Sequence, residues 1–143
     1  LGTAGDLERL LAESDYVVIA CPQNDDTLGL IDDAMFDRMK SEGVIINVAR
    51  GPIIDEQALY AALSENRIGG AIIDVWYDYP ERGSPAEWPS KLPFQELDNI
   101  RMTPHSSGWT HALQDRRWRF VAANLDRLAR GEALQNVVFE GTG

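Results

Sequence analysis

Apolar residues along this chain fall into alternating helical and strand-like rhythms. Leu7, Leu10 and Leu11 share one face of a helix that Thr3 can cap. Residues 16–21, Tyr-Val-Val-Ile-Ala-Cys, form a short apolar run that Pro22 ends, and they predict a buried strand. A polar loop follows over 23–29. Asp32 can cap a second short helix with Met35, Phe36 and Met39 inward, and Gly43 stops it. Val44-Ile45-Ile46-Asn47-Val48-Ala49 is the next apolar run, and a run bounded by turn signals suits a strand buried on both faces. Arg50 stands at its mouth, Gly51-Pro52 turns the chain, and Asp55 can cap a third helix carrying Leu59, Ala62 and Leu63. Residues 66–70 end that helix, and residues 71–75 predict another strand. From 77 to 97 the pattern breaks, because Pro80, Pro85, Pro89 and Pro93 forbid regular structure over most of it. A short strand over 99–102 precedes Thr103-Pro104-His105. A final helix over 110–130 carries Leu113, Phe120, Leu125 and Leu128 on one stripe, with Gly131 as its stop. The tail to Gly143 is expected to be extended.

Helices alternating with short apolar strands predict an α/β fold with a parallel sheet and right-handed crossovers. Ligands of such sheets sit at the carboxyl ends of the strands. Three strand ends carry candidates for chemistry: Arg50, Asp74 and His105. In a parallel sheet these ends lie on one edge, so the three can converge. An arginine there offers a planar donor fork to a carboxylate or phosphate. Each residue alone has a plainer reading: Arg50 as a surface loop cap, Asp74 as a turn cap, His105 as a satisfied loop residue.

Composition narrows the function classes. The 143 residues suit one domain of ordinary size. A 44% hydrophobic content with 25% charged residues supports a buried core in a soluble chain. The net charge of −10 argues against a nucleic-acid or anionic-membrane surface. No apolar run approaches the ~20 residues of a membrane span. The first residues carry no basic region and do not read as a signal peptide. The single Cys21 excludes an internal disulfide and fits a reducing, cytoplasmic compartment. There is no repeat, no low-complexity tract and no His/Cys spacing for a metal.

The residues carry more than spacing does. Ile46-Asn47-Val48-Ala49-Arg50-Gly51-Pro52-Ile53-Ile54-Asp55, then Ala71-Ile72-Ile73-Asp74-Val75-Trp76, then residues 97–108 around Thr103-Pro104-His105-Ser106-Ser107-Gly108 closely resemble the NAD-dependent D-isomer-specific 2-hydroxyacid dehydrogenases. The resemblance runs from the first helix to Asn136-Val137-Val138. It implies a Rossmann-like parallel sheet and hydride transfer between a small 2-hydroxy or 2-oxo acid and NAD or NADP. It implies that Arg50 holds the substrate carboxylate and polarises the reacting carbonyl. It implies that His105 takes the hydroxyl proton in oxidation and returns it in reduction. Those residue types suit such chemistry, since a bidentate cation orients an α-keto acid and a group titrating near neutrality exchanges the proton. By the same resemblance Asp74 accepts from the nicotinamide carboxamide. Cys21, Pro22 and Thr27 form a loop against the cofactor, together with backbone groups of Val48, Ala49 and Arg50. Gly108 lies near the nicotinamide. A homodimer is expected of the full-length protein.

Two departures from the family's pattern matter. The family orients its histidine with a glutamate a few residues after the Asp-Val-Trp strand, and Tyr79 stands there in this chain. A carboxylate stabilises imidazolium, whereas a tyrosine hydroxyl can orient the ring without supplying charge. Asp78 or Glu81 are alternative partners, and a decayed site is the other alternative. The second departure is at the front. The chain contains no Gly-x-Gly-x-x-Gly turn to cradle a pyrophosphate at a helix N-terminus, and no acid about twenty residues beyond one. Gly2-Thr3-Ala4-Gly5 is no substitute, because no strand precedes it. Residues 1–143 are therefore expected to be a partial dinucleotide-binding domain, the second half of it plus a C-terminal helix, with the glycine-rich loop and the substrate domain absent from this chain. That implies a truncation, a remnant or a part of a longer protein, one that binds the dinucleotide weakly or not at all as a free polypeptide. Strand 16–21 is then an exposed apolar edge that invites association.

The remaining candidates read plainly. His111 is expected to be solvated, Trp88 and Trp118 to pack, and Cys21 to be a small side chain rather than a nucleophile. Trp109 has a second reading as a wall of the substrate pocket. The leading function is an oxidoreductase fragment. The alternative is a non-catalytic dinucleotide-sensing or interaction module of the same fold, and Tyr79 is the residue that keeps it open.

Overall fold

The computed structural model describes residues 4–80 and 88–138. It divides into two units, residues 1–107 and 108–143. The first holds a four-stranded parallel sheet: β1 Tyr16–Ile19, β2 Val44–Asn47, β3 Gly70–Ile73 and β4 Ile100–Met102. The strands lie side by side in chain order. Their register is continuous, with Ile19 beside Asn47, Asn47 beside Ile73, and Ile73 beside Met102. The expected α/β Rossmann-like parallel sheet is borne out.

Helices α1 Leu7–Glu13, α2 Asp33–Phe36 and α3 Glu56–Ser64 share one core with the sheet. Leu11, Phe36, Leu59, Ala62 and Leu63 are buried with Val17, Ile19, Ile45, Ala71, Ile73 and Ile100. Two of the expected caps form. Asp32 accepts the Met35 N–H at 2.9 Å, and Asp55 accepts the Ala58 N–H at 2.8 Å. The expected cap Thr3 lies outside the described residues, and a 3-10 turn over Ala4–Asp6 leads into α1.

Three local expectations need correction. β1 and β2 are not buried on both faces: exposure alternates along each, so Tyr16 and Val18 face outward while Val17 and Ile19 face the core. An apolar run does not distinguish a strand covered twice from one whose second face the helices of its own unit leave bare. Leu10 is half exposed, off the buried stripe of α1. The second helix stops after a single turn at Phe36, well before Gly43.

The connection from β3 to β4 carries no α-helix among its described residues. Phe94, in a 3-10 turn over Phe94–Glu96, fills the helix's place in the core. It meets Tyr60 of α3 edge-on with ring centres 5.3 Å apart, and Trp76 at 6.0 Å. Edge-to-face pairs of this kind add about 0.5–1.5 kcal/mol beyond their buried area.

The second unit is α4, His111–Ala129, followed by a return segment. Gly131 closes it with φ +71°, a left-handed stop that glycine adopts without strain. Arg127 Nε–H donates to the Ala133 carbonyl, and Asn124 exchanges two hydrogen bonds with Gln135. Phe120, Leu125 and Leu128 have no cover within this unit, and Trp118 is exposed rather than packed. The His111 side chain lies outside the described residues.

Candidate functional site

The parallel register brings four strand ends to one edge. Val48 N–H donates to the Ile19 carbonyl, Asp74 N–H to Asn47, and Thr103 N–H to Ile73, at 3.3, 3.1 and 3.0 Å. The loops carrying Arg50, Asp74 and His105 therefore leave the sheet next to one another.

A crevice of about 760 Å³ opens where β1 and β2 end. Residues 20–23 line one side and residues 48–50 the other. Its size falls within the roughly 300–1,000 Å³ of small-molecule sites. Asn47 shapes the second wall, a role that the sequence pattern does not single out. Its buried amide donates to the Arg50 carbonyl at 2.9 Å and accepts the Ala49 N–H at 3.0 Å. A signal for it exists, because a polar residue ends an apolar strand at an inward-facing register position. Thr27 shapes the first wall: its hydroxyl donates to the Pro22 carbonyl at 2.8 Å, and Asn24 closes the turn around it. Cys21 is half-buried beside Pro22, and Val48 is exposed. The Arg50 guanidinium is exposed and donates to the Ala49 carbonyl at 2.6 Å, a bond a carboxylate can replace. Gly51, next in chain, lies against the Trp76 carbonyl with no room for a side chain.

Asp74 is buried just beyond β3. Its carboxylate accepts the Thr103 hydroxyl and the Ser106 N–H at 2.9 Å on Oδ1, and the Ser107 N–H at 3.0 Å on Oδ2. Burial pushes the carboxyl up, but the hydrogen bonds from Ser107, Thr103 and Ser106 outweigh it and hold it at about 2. Asp74 is thus a fixed anion that ties down the loop on both sides of His105. The Ser107 N–H also reaches Oδ1 at 3.2 Å, so both carboxylate oxygens hold donors from the loop. His105 has φ +55°, a left-handed backbone that this tie sustains.

On the other side of His105 stands Tyr79. Its Oη lies 3.0 Å from His105 Nδ1 and accepts the Trp76 backbone N–H at 3.0 Å. The Trp76 indole N–H donates to the Thr103 carbonyl at 3.0 Å, pinning the same loop again. A cleft of about 480 Å³ lies between residues 76–80 and 102–104, with Trp88 and Pro89 on its rim. Trp88 is exposed rather than packed. Asp78 is exposed and Glu81 lies outside the described residues, so the contact seen at Nδ1 is with Tyr79. Gly108 and Trp109 belong to the second unit. Among the described residues no cluster of His, Cys, Asp or Glu could hold a metal, and no helix is long and apolar enough to cross a membrane.

The donor set fits the nicotinamide end of a dinucleotide. The crevice is walled by short backbone-rich loops, and the buried Asp74 anion stands at the sheet edge where those loops begin.

Comparison with known proteins agrees. The family model for the NAD-binding domain of D-isomer specific 2-hydroxyacid dehydrogenase matches residues 2–107. The chain is 36% identical to a glyoxylate reductase of Korarchaeum cryptofilum over 92% of its own length and 38% of the relative's. It superposes on a D-mandelate dehydrogenase of Rhodotorula graminis with a TM-score of 0.77 and 31% identity, covering 95% of this chain and 37% of that one. It superposes on a D-lactate dehydrogenase with NAD+ from Lactobacillus jensenii with a TM-score of 0.77 and 25% identity, covering 93% and 42%. The chain therefore spans about two-fifths of the length of these relatives.

Proposed function

This chain belongs to the D-isomer specific 2-hydroxyacid dehydrogenases through their NAD-binding domain, and from that premise we propose that it is the nicotinamide-facing part of an NAD(P)-dependent oxidoreductase acting on a small 2-hydroxy or 2-oxo acid. Residues 1–143 are then a partial dinucleotide-binding domain, and the working enzyme is a longer, cytoplasmic homodimer. The observation that carries the reading is the two-sided hold on His105. Asp74 ties its loop from one side, and Tyr79 meets its ring from the other.

In this reading Arg50 leaves Ala49 and binds the substrate carboxylate, with its charge drawing electron density from the adjacent carbonyl. The Asp74 carboxylate takes the carboxamide N–H of the ring. The loop of Cys21, Pro22 and Thr27 and the backbone at Val48, Ala49 and Arg50 flank the cofactor. Bound there, the nicotinamide supplies or accepts the hydride. His105 moves the proton to or from the reacting oxygen through Nε2, which has no partner among the described residues.

The test is a cofactor-oxidation assay of the full-length protein against a panel of 2-oxo acids, with Arg50→Ala and His105→Ala beside it. Turnover of one or more acids, lost in both variants, is the expected result. Cofactor binding without turnover of any acid would instead favour the non-catalytic module.

A further inference from the structure

Tyr79 does more than touch His105. The phenol oxygen already accepts a bond from the Trp76 backbone N–H at 3.0 Å. That donor is a peptide group and cannot reverse its role. The hydroxyl proton therefore points away from Trp76, and the other partner of Oη among the described residues is His105 Nδ1 at 3.0 Å. Where the phenol O–H donates to Nδ1, that nitrogen carries no proton, and the neutral imidazole holds its proton on Nε2. A carboxylate at position 79 would accept from Nδ1–H and leave Nε2 bare.

We propose that Tyr79 is a positioning residue that sets His105 in the Nε2–H tautomer and so matches the site to the carbonyl of a 2-oxo acid. The proposal rests on the reading of His105 as the group that meets the reacting oxygen. With Nε2 protonated, the ring offers a donor to a carbonyl oxygen. A 2-hydroxy acid must give up its hydroxyl proton, and it meets an acceptor at Nε2 only after the ring proton has left and the Tyr79 proton has moved to Nδ1. In reduction the substrate carbon takes the hydride of the reduced nicotinamide, and the electron pair of the breaking C=O π bond goes to oxygen. The oxygen takes the Nε2 proton, the Tyr79 hydroxyl proton passes to Nδ1, and one solvent proton restores the pair after product leaves. Tyr79 is half exposed, which keeps that exchange open to water.

The chain holds two histidines, so its imidazole spectrum is simple. Long-range proton–nitrogen correlation on the 15N-labelled chain, at a pH where the rings are neutral, reads the tautomer, and His111→Gln assigns the two. The expected pattern for His105 is a protonated Nε2 and a hydrogen-bonded, unprotonated Nδ1. Tyr79→Phe should move the Nδ1 signal to the position of a free acceptor, and Tyr79→Glu should transfer the proton to Nδ1. In the full-length enzyme Tyr79→Glu should raise KM for the 2-oxo acid about tenfold, the size of one lost hydrogen bond, and lower KM for the 2-hydroxy acid. A proton on Nδ1 in the unsubstituted chain overturns the proposal, and that measurement needs no variant to fold. The expected tautomer in a protein that turns over no 2-oxo acid would leave Tyr79's effect on the ring standing and remove the function built on it.

Discussion

Gly51 and Trp76 meet backbone to backbone: a Cβ at Gly51 would fall on the Trp76 carbonyl. This contact joins the turn after Arg50 to the residue whose N–H holds Tyr79. Gly51→Ala must push the two loops apart. Overpacking of a tight site costs about 1–3 kcal/mol. A lower urea midpoint with an unchanged slope is the expected result, and activity of the full-length enzyme should fall with it.

Asp74 links stability to acid. Its folded carboxyl is held at about 2 against an ordinary 3.8. A depressed carboxyl contributes stability that is complete above the unfolded value and is lost as pH falls through the folded one. The urea midpoint should therefore drop between pH 4 and pH 2. Asp74→Asn should remove that part of the slope and lower stability at neutral pH, because the amide nitrogen replaces one of the two acceptor oxygens and sets a donor against a donor N–H of the loop.

Arg50→Lys keeps the charge and loses the planar fork. A bidentate bond to a charged group is worth about 1.5–3 kcal/mol. KM for the 2-oxo acid should rise by about 10–100-fold in steady-state assays of the full-length protein. Thermal stability should stay put, since the guanidinium is exposed and among the described residues bonds only to its neighbour's carbonyl.

Asp55 caps α3 with a 2.8 Å bond to the Ala58 N–H. Asp55→Ala should lower stability by about 1 kcal/mol, while Asp55→Asn or Asp55→Ser should retain most of it. Chemical denaturation of the three variants separates the cap from the charge.

The frame of this fold is legible in the sequence because its signals are local. Apolar runs, caps at Asp32 and Asp55 and the glycine stop at 131 each act within a few residues. For the candidate site, strand order makes the meeting of loops legible: successive strand ends of a parallel sheet bring the loops of Arg50, Asp74 and His105 to one edge. Asn47 is the weaker case: a polar residue closing an apolar strand is a signal, but its two bonds serve its own loop and no spacing points to them. Phe94 escapes such a reading because the prolines around it signal only the loss of regular structure. Trp88 and Trp118 are exposed against expectation, since aromatic size does not say whether a partner surface exists. The Tyr79–His105 contact spans 26 positions and depends on the fold of the β3–β4 connection, so residue type suggests it and only geometry supplies it.

Trp76 is buried while Trp88, Trp109 and Trp118 stand in solvent at 63, 76 and 68% exposure. The four indoles thus divide into one shielded fluorophore and three wet ones. Replacing the three leaves a single emitter whose ring N–H is bonded to the Thr103 carbonyl. Its colour and lifetime would then follow the loop of His105 in real time, an optical gauge that the molecule already carries.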